Sequence, residues 1–401
     1  MPTPMPARPD GERTPRVTET RLSTNAPHRW PHLADAERGA LRELLIHGPL
    51  PRAEIARRLD VSRASLTRAT RVLMEQAMVT EGETALRGAM GRPSEMLVVR
   101  GDAHHFLGVK LTGDAVFAVV TDLSAQIVAS AEEPLVSTSV SDTVDQIGRL
   151  YDRFAVEFDD IRAAGICLAG DLARIDGRQI VLASYFLKWR DVPLAELLGQ
   201  RLGIPVTADN DVHALTASQH WFGAGAGSDS LALITIGAGI GFGLIVDGRV
   251  VTGHSGRAGR FDHLIVDSTG STCGLGHHGC ASVYLTSESI VRAVGREGVD
   301  YAGAVSLARA GDATALRAFE SAGRALGVII GTIINGLDPE RVVLTGDGLA
   351  VLEIAGTEVR RTIEAIRLPN DAPARLEVLP FEFTEWARAG AVAAIRTILR
   401  F

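Results

Sequence analysis

Five polar side chains near the start of the chain have types and spacing suited to binding a polar ligand: Ser62, Arg63, Ser65, Arg68 and Arg71. An arginine can donate two hydrogen bonds to the edge of one guanine, and a serine hydroxyl can bond to several bases. Arg63, Ser65 and Arg68 are therefore candidates for contacts with base edges in double-stranded DNA. Ser62 and Arg71 are candidates for contacts with the DNA backbone, which position a protein on the duplex.

These side chains need a rigid helix to present them, and the surrounding sequence predicts one. Residues 52–76 have the pattern of two short helices joined by a tight turn. Apolar residues recur at helical spacing on the second helix, from Leu66 to Leu73, so its other face points outward. Ser62 is a favourable N-cap for this helix, and Asp60 tolerates the left-handed backbone that the turn needs. The alternative is a surface helical hairpin whose arginines are only solvated.

A hairpin is predicted after the two helices. Residues 78–79 can open it and residues 96–99 can close it, and the glycine-rich stretch between them carries Arg87 and Arg92. A helix-turn-helix followed by a hairpin with a basic tip is typical of a winged helix, whose second helix enters the major groove. Arg87 and Arg92 are then candidates for backbone or minor-groove contacts.

The first hundred residues also differ in charge from the rest of the chain. The 401 residues have a net charge of −7, but residues 1–100 carry 16 Arg, no Lys and only 12 Asp or Glu. A basic segment on an acidic body suits a nucleic-acid reader joined to another domain. We expect a disordered tail at residues 1–30 and a winged helix-turn-helix DNA-binding domain at residues 31–100, with its first helix within residues 31–48.

The bulk composition is that of a globular protein. A hydrophobic content of 46% and a charged content of 22% are ordinary for such proteins. No apolar run is long enough to span a bilayer, no apolar N-terminal segment indicates secretion, and three Cys do not make a disulfide framework. We expect a cytoplasmic protein with no membrane partner.

From about residue 101 the pattern changes to strands that alternate with helices. Three strand candidates between residues 103 and 132 precede a helix, a buried strand and further helices, and two later strands flank a glycine cluster. This alternation predicts an α/β fold. Its approximate repetition predicts two lobes within a domain at residues 101–401. Lobe I covers about 101–225 together with the C-terminal helix, and lobe II covers about 226–384.

This second part of the chain contains a set of motifs in a particular order. It comprises Ala169-Gly170, Trp189-Arg-Asp-Val-Pro-Leu194, Asn210-Asp211, Gly237-Ala-Gly-Ile-Gly-Phe-Gly243, Gly248, Gly253, Gly256, Gly259, His263, Cys273-Gly-Leu-Gly-His-His-Gly-Cys280 and Leu344-Thr-Gly-Asp-Gly348. From about residue 106 onward, the chain resembles the ROK family (repressors, open reading frames and sugar kinases). The predicted winged helix, with Gly91-Arg92-Pro93, resembles the family's repressor branch, of the xylose and N-acetylglucosamine repressor type.

The resemblance implies an actin-like, ribonuclease H-like sugar-kinase fold whose two lobes enclose a sugar, and it implies homodimers or homotetramers. Asn210 and Asp211 match residues that contact sugar hydroxyls, and Asp211 also matches the carboxylate that accepts the proton in the family's kinases. Arg260 and His263 belong to the family's next sugar-contacting segment. The alternative for Asn210 and Asp211 is a pair of residues that caps a helix.

Two departures from the family's kinases concern ATP. Lys110 replaces the carboxylate of the first phosphate loop, which would help to hold a metal ion. Asp347 stands in the second phosphate loop where a small residue is usual, and its charge would repel phosphates. We therefore expect no ATP binding, no catalytic residues and no kinase activity.

Two further departures concern the sugar. Arg260 replaces a glutamate that accepts hydrogen bonds from sugar hydroxyls, and arginine can only donate. Tyr185 stands where an asparagine is expected. Because arginine suits a carboxylate or phosphate group, the effector is expected to be a small carbohydrate such as an acidic sugar. The alternative is a site that binds nothing.

The zinc site that the resemblance implies is incomplete. The family pattern supplies one His and three Cys around the metal ion. Three positions match: His263, Cys273 and Cys280. Leu275 replaces the middle Cys, and His277 or His278 lies close enough in sequence to supply a fourth ligand. The alternative is two buried cysteines and a core histidine.

Three functions remain open from the sequence. The favoured one is a DNA-binding transcriptional regulator, a repressor of carbohydrate-related genes, whose partners are operator DNA and a small carbohydrate. The second is an active ATP-dependent sugar kinase with an accessory DNA-binding domain, against which Lys110 argues. The third is a ligand-independent DNA-binding protein whose kinase-like domain only dimerises, which Arg260 and Tyr185 keep open.

Overall fold

The structure is a computed structural model that describes residues 30–85, 94–369 and 374–401. The predicted disordered tail, apart from Trp30, lies outside these ranges. So do Arg87 and Arg92 at the predicted tip of the wing.

Three helices and a three-stranded sheet form the N-terminal unit, which we call the head. Its elements are α1 (Asp35–His47), β1 (Leu50–Pro51), α2 (Arg52–Arg58), α3 (Arg63–Glu75), β2 (Val79–Ala85) and β3 (Ser94–Val99). Strand β3 lies between β1 and β2 and pairs antiparallel with both. These are the elements predicted for a helix-turn-helix followed by a hairpin.

Local interactions explain where α3 begins and which way it faces. The Ser62 hydroxyl accepts a hydrogen bond from the backbone N–H of Ser65 at 3.1 Å, so the predicted N-cap is confirmed. Asp60 adopts φ 52°, the left-handed conformation predicted for the turn. Leu66 and Leu73 are fully buried, so the opposite face of α3 is turned to solvent.

Lobe I is built on a five-stranded sheet. Its elements are β4 (His105–Leu111), β5 (Ala115–Asp122), β6 (Ile127–Pro134), α4 (Val140–Ala155), β7 (Ile161–Leu168), β8 (Asp171–Ile175), β9 (Arg178–Ser184), β10 (Trp189–Val192), α5 (Leu194–Leu202), β11 (Val206–Asn210) and α6 (Asp211–Phe222). The main sheet has the order β11-β7-β4-β5-β6, in which β11, β7 and β4 are parallel to one another and β5 is antiparallel to both of its neighbours, β4 and β6. Strands β8–β10 form a separate small sheet that the sequence did not predict, because these short strands are only partly buried and lack clear alternation.

Lobe II repeats a five-stranded sheet, and its helices pack on it. Its elements are β12 (Leu231–Ile236), β13 (Ile240–Val246), β14 (Arg249–Val250), α7 (Ser282–Leu285), α8 (Ser287–Val294), α9 (Tyr301–Arg309), α10 (Ala313–Leu337), β15 (Arg341–Thr345), α11 (Ala350–Ile366) and β16 (Arg375–Val378). The sheet order is β14-β13-β12-β15-β16. Helices α7 and α8 are separated at Thr286, which adopts an extended backbone and caps α8. Within the described ranges, no helix has the length and apolar character needed to cross a membrane.

The last helix, α12 (Phe383–Ile398), packs on the sheet of lobe I, as predicted. Glycines make this packing unusually close. A Cβ atom on Gly165 would lie 1.9 Å from the carbonyl oxygen of Gly390, and one on Gly108 would lie 2.1 Å from that of Ala387. The backbone of α12 therefore rests directly on β4 and β7, which any larger residue at these positions would prevent.

A shared hydrophobic core joins the head to lobe I. Leu41 and Leu44 of α1 are buried in one cluster with Trp221 of α6 and Ile395 of α12. Helix α1 therefore belongs to the core of both units, and the head is held against lobe I by apolar packing rather than by a linker alone.

We expect Leu41→Ala to lower the free energy of unfolding by about 2–5 kcal/mol, because a fully buried leucine is replaced by a partial cavity. Chemical denaturation followed by circular dichroism and tryptophan fluorescence measures this change. The matched control is Val156→Ala, at a side chain 89% exposed, which should change stability by less than about 0.5 kcal/mol. Two separate transitions, of which Leu41→Ala shifts only one, would contradict the shared core.

Candidate functional site

An open cleft of about 810 Å³ lies between lobe I and lobe II. Strands β4, β12 and β15 end at this cleft, and helices α6 and α12 begin there. Its lining includes several residues singled out from the sequence: Lys110, Asn210, Asp211, Gly237, Arg260 and Asp347. The volume lies in the range of about 300–1,000 Å³ that is typical of small-molecule sites.

A buried ion pair lies at the base of the cleft. The Lys110 ammonium donates a hydrogen bond to Oδ2 of Asp211, and both side chains are almost fully buried. The same ammonium lies 5.0 Å from the centre of the Trp386 ring, which adds a cation–π contact. Lys110 therefore occupies a carboxylate oxygen that a sugar hydroxyl would use in the family's kinases. The sequence identified Lys110 as a departure but not as the partner of Asp211.

Asn210 caps helix α6, as the alternative reading of the sequence held. Its side-chain oxygen accepts hydrogen bonds from the backbone N–H groups of Val212 at 2.9 Å and His213 at 3.2 Å. Its amide nitrogen donates to the carbonyl oxygen of Gly170 at 2.9 Å. One N–H of this amide is left for a ligand in the cleft, so capping and ligand binding are compatible.

The loops expected to hold nucleotide phosphates carry a carboxylate instead. Asp347 lies directly against the loop after β12, since a Cβ on Gly237 would be 1.7 Å from its Oδ1. In the other loop, the Asp114 carboxylate accepts a hydrogen bond from the Thr112 hydroxyl at 2.7 Å. The lysines and arginines in the described lining of the cleft are Lys110, Arg257 and Arg260. Each of them already has a carboxylate partner.

Arg260, the residue behind the expectation of an acidic effector, lies among carboxylates. Its guanidinium lies 3.3 Å from Asp262 and 3.8 Å from Asp171, and Arg257 lies 3.3 Å from Asp171. The charge of Arg260 is therefore balanced within the protein and gives no reason to require an acidic or phosphorylated sugar. Tyr185 is 90% exposed and is not part of the cleft lining.

Several cleft residues were not identified from the sequence: Asp171, Phe186, Arg257, Phe381, Phe383 and Trp386. They come from the unpredicted strand β8, from loops and from the start of α12, so no single motif contains them. The nearest sequence signal was the glycine series, because one of these residues, Arg257, lies between Gly256 and Gly259.

A buried thiol, Cys167, donates a hydrogen bond to the backbone carbonyl oxygen of the cleft residue Trp386 at 3.0 Å. Burial raises the pKa of Cys167 to about 12, so the reactive thiolate is not formed near neutral pH. Burial also raises the pKa of the Asp209 carboxyl, next to Asn210, and lowers the pKa of the Arg396 guanidinium on α12.

A second cluster could hold a metal ion. One ligand atom from each of four residues lies within 4.8 Å of the others: His263, Cys273, His277 and Cys280. Nδ1 of His263 is 3.6 Å from Sγ of Cys273, close to the separation of about 3.5 Å expected for two ligands of a tetrahedral zinc ion. Nε2 of His263 lies 3.3 Å from the Asp262 carboxylate, as is usual for metal-bound histidines.

The cluster decides two questions that the sequence left open. His277 is the histidine brought to the cysteines, whereas Nδ1 of His278 faces the Thr272 hydroxyl and the carbonyl oxygen of Gly270, each at 3.4 Å. His263 belongs to this cluster, and the described lining of the cleft does not include it.

The predicted DNA-contacting residues within the described ranges lie in or just before α3: Ser62, Arg63, Ser65, Arg68 and Arg71. Arg63, Arg68 and Arg71 are exposed. Arg71 forms an ion pair with Glu75, one turn later, at 3.7 Å. Arg63 and Arg68 have no side-chain partner among the described residues. Both are therefore free to bind an anionic or hydrogen-bonding surface.

The two lobes, each with a five-stranded sheet, and the cleft between them define an actin-like sugar-kinase fold preceded by a helical head. A crystal structure of a ROK family transcriptional regulator, described as a homolog of the E. coli Mlc protein, has this fold. It matches with a TM-score of 0.77 at 23% sequence identity, over 91% of this chain and 96% of that one. The expected fold class is confirmed.

The pattern of the ROK family matches residues 106–385, and the chain belongs to that family. The xylose repressor of Bacillus subtilis (strain 168) is 27% identical over 311 residues, covering 76% of this chain and 80% of that protein. The DNA-binding transcriptional repressor Mlc of Escherichia coli (strain K12) is 26% identical over 275 residues, covering 67% of this chain and 68% of that protein. The predicted family is confirmed.

We expect Lys110→Ala to lower the free energy of unfolding by about 3–5 kcal/mol, because it leaves the Asp211 charge buried without a partner. Adding Asp211→Ala should recover part of this loss, since the pair is then removed together. Urea denaturation of the four proteins of this cycle measures the coupling. Lys188→Ala, at the chain's other lysine, is exposed and is the control. Strictly additive losses would show that the two charges are not coupled.

Proposed function

We propose that this chain is a DNA-binding transcriptional regulator, a repressor of carbohydrate-related genes that acts in the cytoplasm. The observation that carries the proposal is helix α3, which is capped, packed within the head, and exposes Arg63 and Arg68, neither of which has a side-chain partner among the described residues. A rigid helix with free arginines on its outer face suits the major groove of DNA. The repressor names of the two relatives support this function.

The proposed contacts with DNA are of two types, to base edges and to the DNA backbone or minor groove. Arg63, Ser65 and Arg68 contact base edges, because they lie on the first two turns of the outer face of α3. Ser62 and Arg71 contact the DNA backbone. Two wing residues outside the described ranges, Arg87 and Arg92, contact the backbone or the minor groove.

The proposal also holds that the kinase-like cleft senses a carbohydrate and does not phosphorylate it. Lys110 stands where the kinases have a metal-holding carboxylate, and its ammonium is bonded to Asp211. Asp347 adds negative charge where the phosphates of ATP would lie. Steady turnover of ATP with a sugar would instead support the kinase alternative.

Two helices offer a physical route from the cleft to DNA. Helix α6 begins at Asp211 in the cleft and ends with Trp221 packed in the shared core with α1. Helix α12 begins with residues that line the cleft, including Trp386, and ends with Ile395 in the same core. A ligand that changes the angle between the lobes would move the head together with lobe I. In a homodimer this changes the distance between two recognition helices and spoils the fit to both half-sites.

We expect Arg63→Ala combined with Arg68→Ala to weaken binding to the operator by at least about thirtyfold, because two bidentate base contacts are lost. The operator is obtained by selecting bound fragments from the source genome, and fluorescence anisotropy measures the affinity. The matched control is Arg292→Ala with Arg361→Ala, which removes the same charge from exposed sites in lobe II. Sedimentation should show an unchanged oligomer in both variants. An unchanged footprint with the first variant would show that α3 is not the recognition helix.

We also propose that the four-residue cluster binds a structural zinc ion. His263, Cys273, His277 and Cys280 would hold it, and two thiolates with two imidazoles form a donor set that zinc accepts in tetrahedral sites. His277 then compensates for the cysteine that Leu275 replaces. The ion would tie together the long segment between β14 and α7, which has few regular elements of its own.

We expect His277→Ala to abolish most zinc binding and His278→Ala to leave it at about one ion per chain. Elemental analysis after dialysis against a weak chelator measures the zinc content. The two histidines are adjacent in sequence, but His277 faces the cysteines and His278 does not, so each variant is the control for the other. Equal zinc content in both variants, or none in the unaltered chain, would contradict the proposed ligand set.

A further inference from the structure

The cleft is a single cavity, although its two ends have different chemistry. One end contains Asn210 and Asp211, where the resemblance implies contacts with a sugar. The other contains the loop Gly237–Gly239 and Asp347. Both ends belong to the same space of about 810 Å³, and a single pyranose ring fills only part of it. A ligand bound at Asn210 therefore has open volume beside it.

The far end of the cavity has a glycine loop, as phosphate sites do, but it carries a negative charge that would repel a phosphate. Asp347 lines this end, and its carboxylate has no ion-pair partner among the described residues. The positive side chains of the described lining are all matched with carboxylates. A nucleotide or sugar phosphate would bring its negative charge next to Asp347 with no free cation to offset it.

The same far end suits hydroxyl groups. Carboxylates only accept hydrogen bonds when ionised, and sugar hydroxyls are donors. A Cβ on Gly239 would have nothing within 4 Å, so the wall at this point is open and a ligand can approach the backbone. The Asp347 carboxylate therefore offers acceptors where phosphates would need donors, while the open backbone of the loop remains accessible to a ligand.

Aromatic rings line the lobe I side of the cavity and favour a ligand with apolar faces. Phe381 and Phe383 pack edge to face at 4.8 Å, and Trp386 follows on the first turn of α12. Phe186 contributes from the loop between β9 and β10 and is half exposed, at 50%. The C–H faces of pyranose rings pack well on aromatic rings, whereas the hydroxyls of the same ring reach polar groups at its edge.

From this geometry we infer that the cleft takes a neutral disaccharide or longer oligosaccharide, whose second sugar unit occupies the space that a nucleotide fills in the family's kinases. The first unit binds at Asn210 and Asp211, and the Asp347 carboxylate accepts hydrogen bonds from hydroxyls of the second. This inference rests on the proposed function, because it names the class of effector that the regulator senses.

Isothermal titration calorimetry on the full chain tests the inference. The probes are maltose, cellobiose, xylobiose and N,N′-diacetylchitobiose, each compared with the monosaccharide from which it is built, together with glucose 6-phosphate and Mg·ATP. We expect at least one disaccharide to bind about tenfold or more tightly than its monosaccharide, and more tightly than both phosphorylated probes.

The matched variants are Asp347→Ala and Glu320→Ala. Asp347→Ala should weaken binding of that disaccharide by about ten- to a hundredfold, because a hydrogen bond to a charged group is lost, and should leave the monosaccharide's affinity unchanged. Glu320→Ala removes an exposed carboxylate from α10, outside the cleft, and should change neither affinity. Thermal melting shows that both variants are folded.

The outcomes separate this inference from the proposed function. A panel in which no disaccharide binds more tightly than its monosaccharide overturns the inference, as does tighter binding of Mg·ATP or glucose 6-phosphate. An equal loss of both sugars in Asp347→Ala also overturns it. If the chain still binds its operator in these cases, the proposed function stands. A chain that binds a disaccharide but no DNA would overturn the proposed function instead.

Discussion

The ion pair between Lys110 and Asp211 is the interaction on which the chemistry of the cleft depends. Two charges buried at the base of a cleft are tolerated only because each neutralises the other, and removal of one would leave the other without solvent or partner. The lysine is therefore not available to phosphate, and one oxygen of the aspartate is not available to a substrate hydroxyl. The architecture is that of a sugar kinase, but Asp211 at the base of its cleft forms a buried ion pair with Lys110.

The position of this pair also links ligand binding to the rest of the molecule. Asp211 is the first residue of α6, where a negative charge interacts favourably with the helix dipole. Trp386, which packs on the ammonium, lies on the first turn of α12. Both helices end against α1. A ligand that contacts the base of the cleft would therefore act at the beginning of two helices whose other ends pack in the shared core with α1 of the head.

The parts of the structure that the sequence predicted well are those governed by local interactions. The cap of α3, the left-handed turn at Asp60 and the strands on either side of the glycine cluster follow from turn chemistry and short-range hydrophobic pattern. The small sheet β8–β10 was missed because its strands are short and only partly buried. That omission had a consequence at the site, since Asp171 at the start of β8 is the residue that balances Arg257 and Arg260.

Contacts between distant residues could not be predicted from one sequence. Lys110 and Asp211 are 101 positions apart, and only the pairing of β4 with β7, and of β7 with β11, brings them together. The choice between His277 and His278 depends on the direction of the backbone in an irregular loop, which spacing does not determine. In both cases the sequence identified candidate residue types, and the fold determines which of them lie together.

The shared core around α1 has a consequence for how such regulators can be recombined. If the head were cut away at residue 100, Trp221 and Ile395 would lose the side chains of Leu41 and Leu44 that cover them, and an apolar surface would face water. A chimera that exchanges DNA specificity should therefore retain α1 with its own effector domain and graft only the segment that begins at β1. In evolutionary terms, α1 and the ends of α6 and α12 must change together, whereas the outer face of α3 can vary without affecting them.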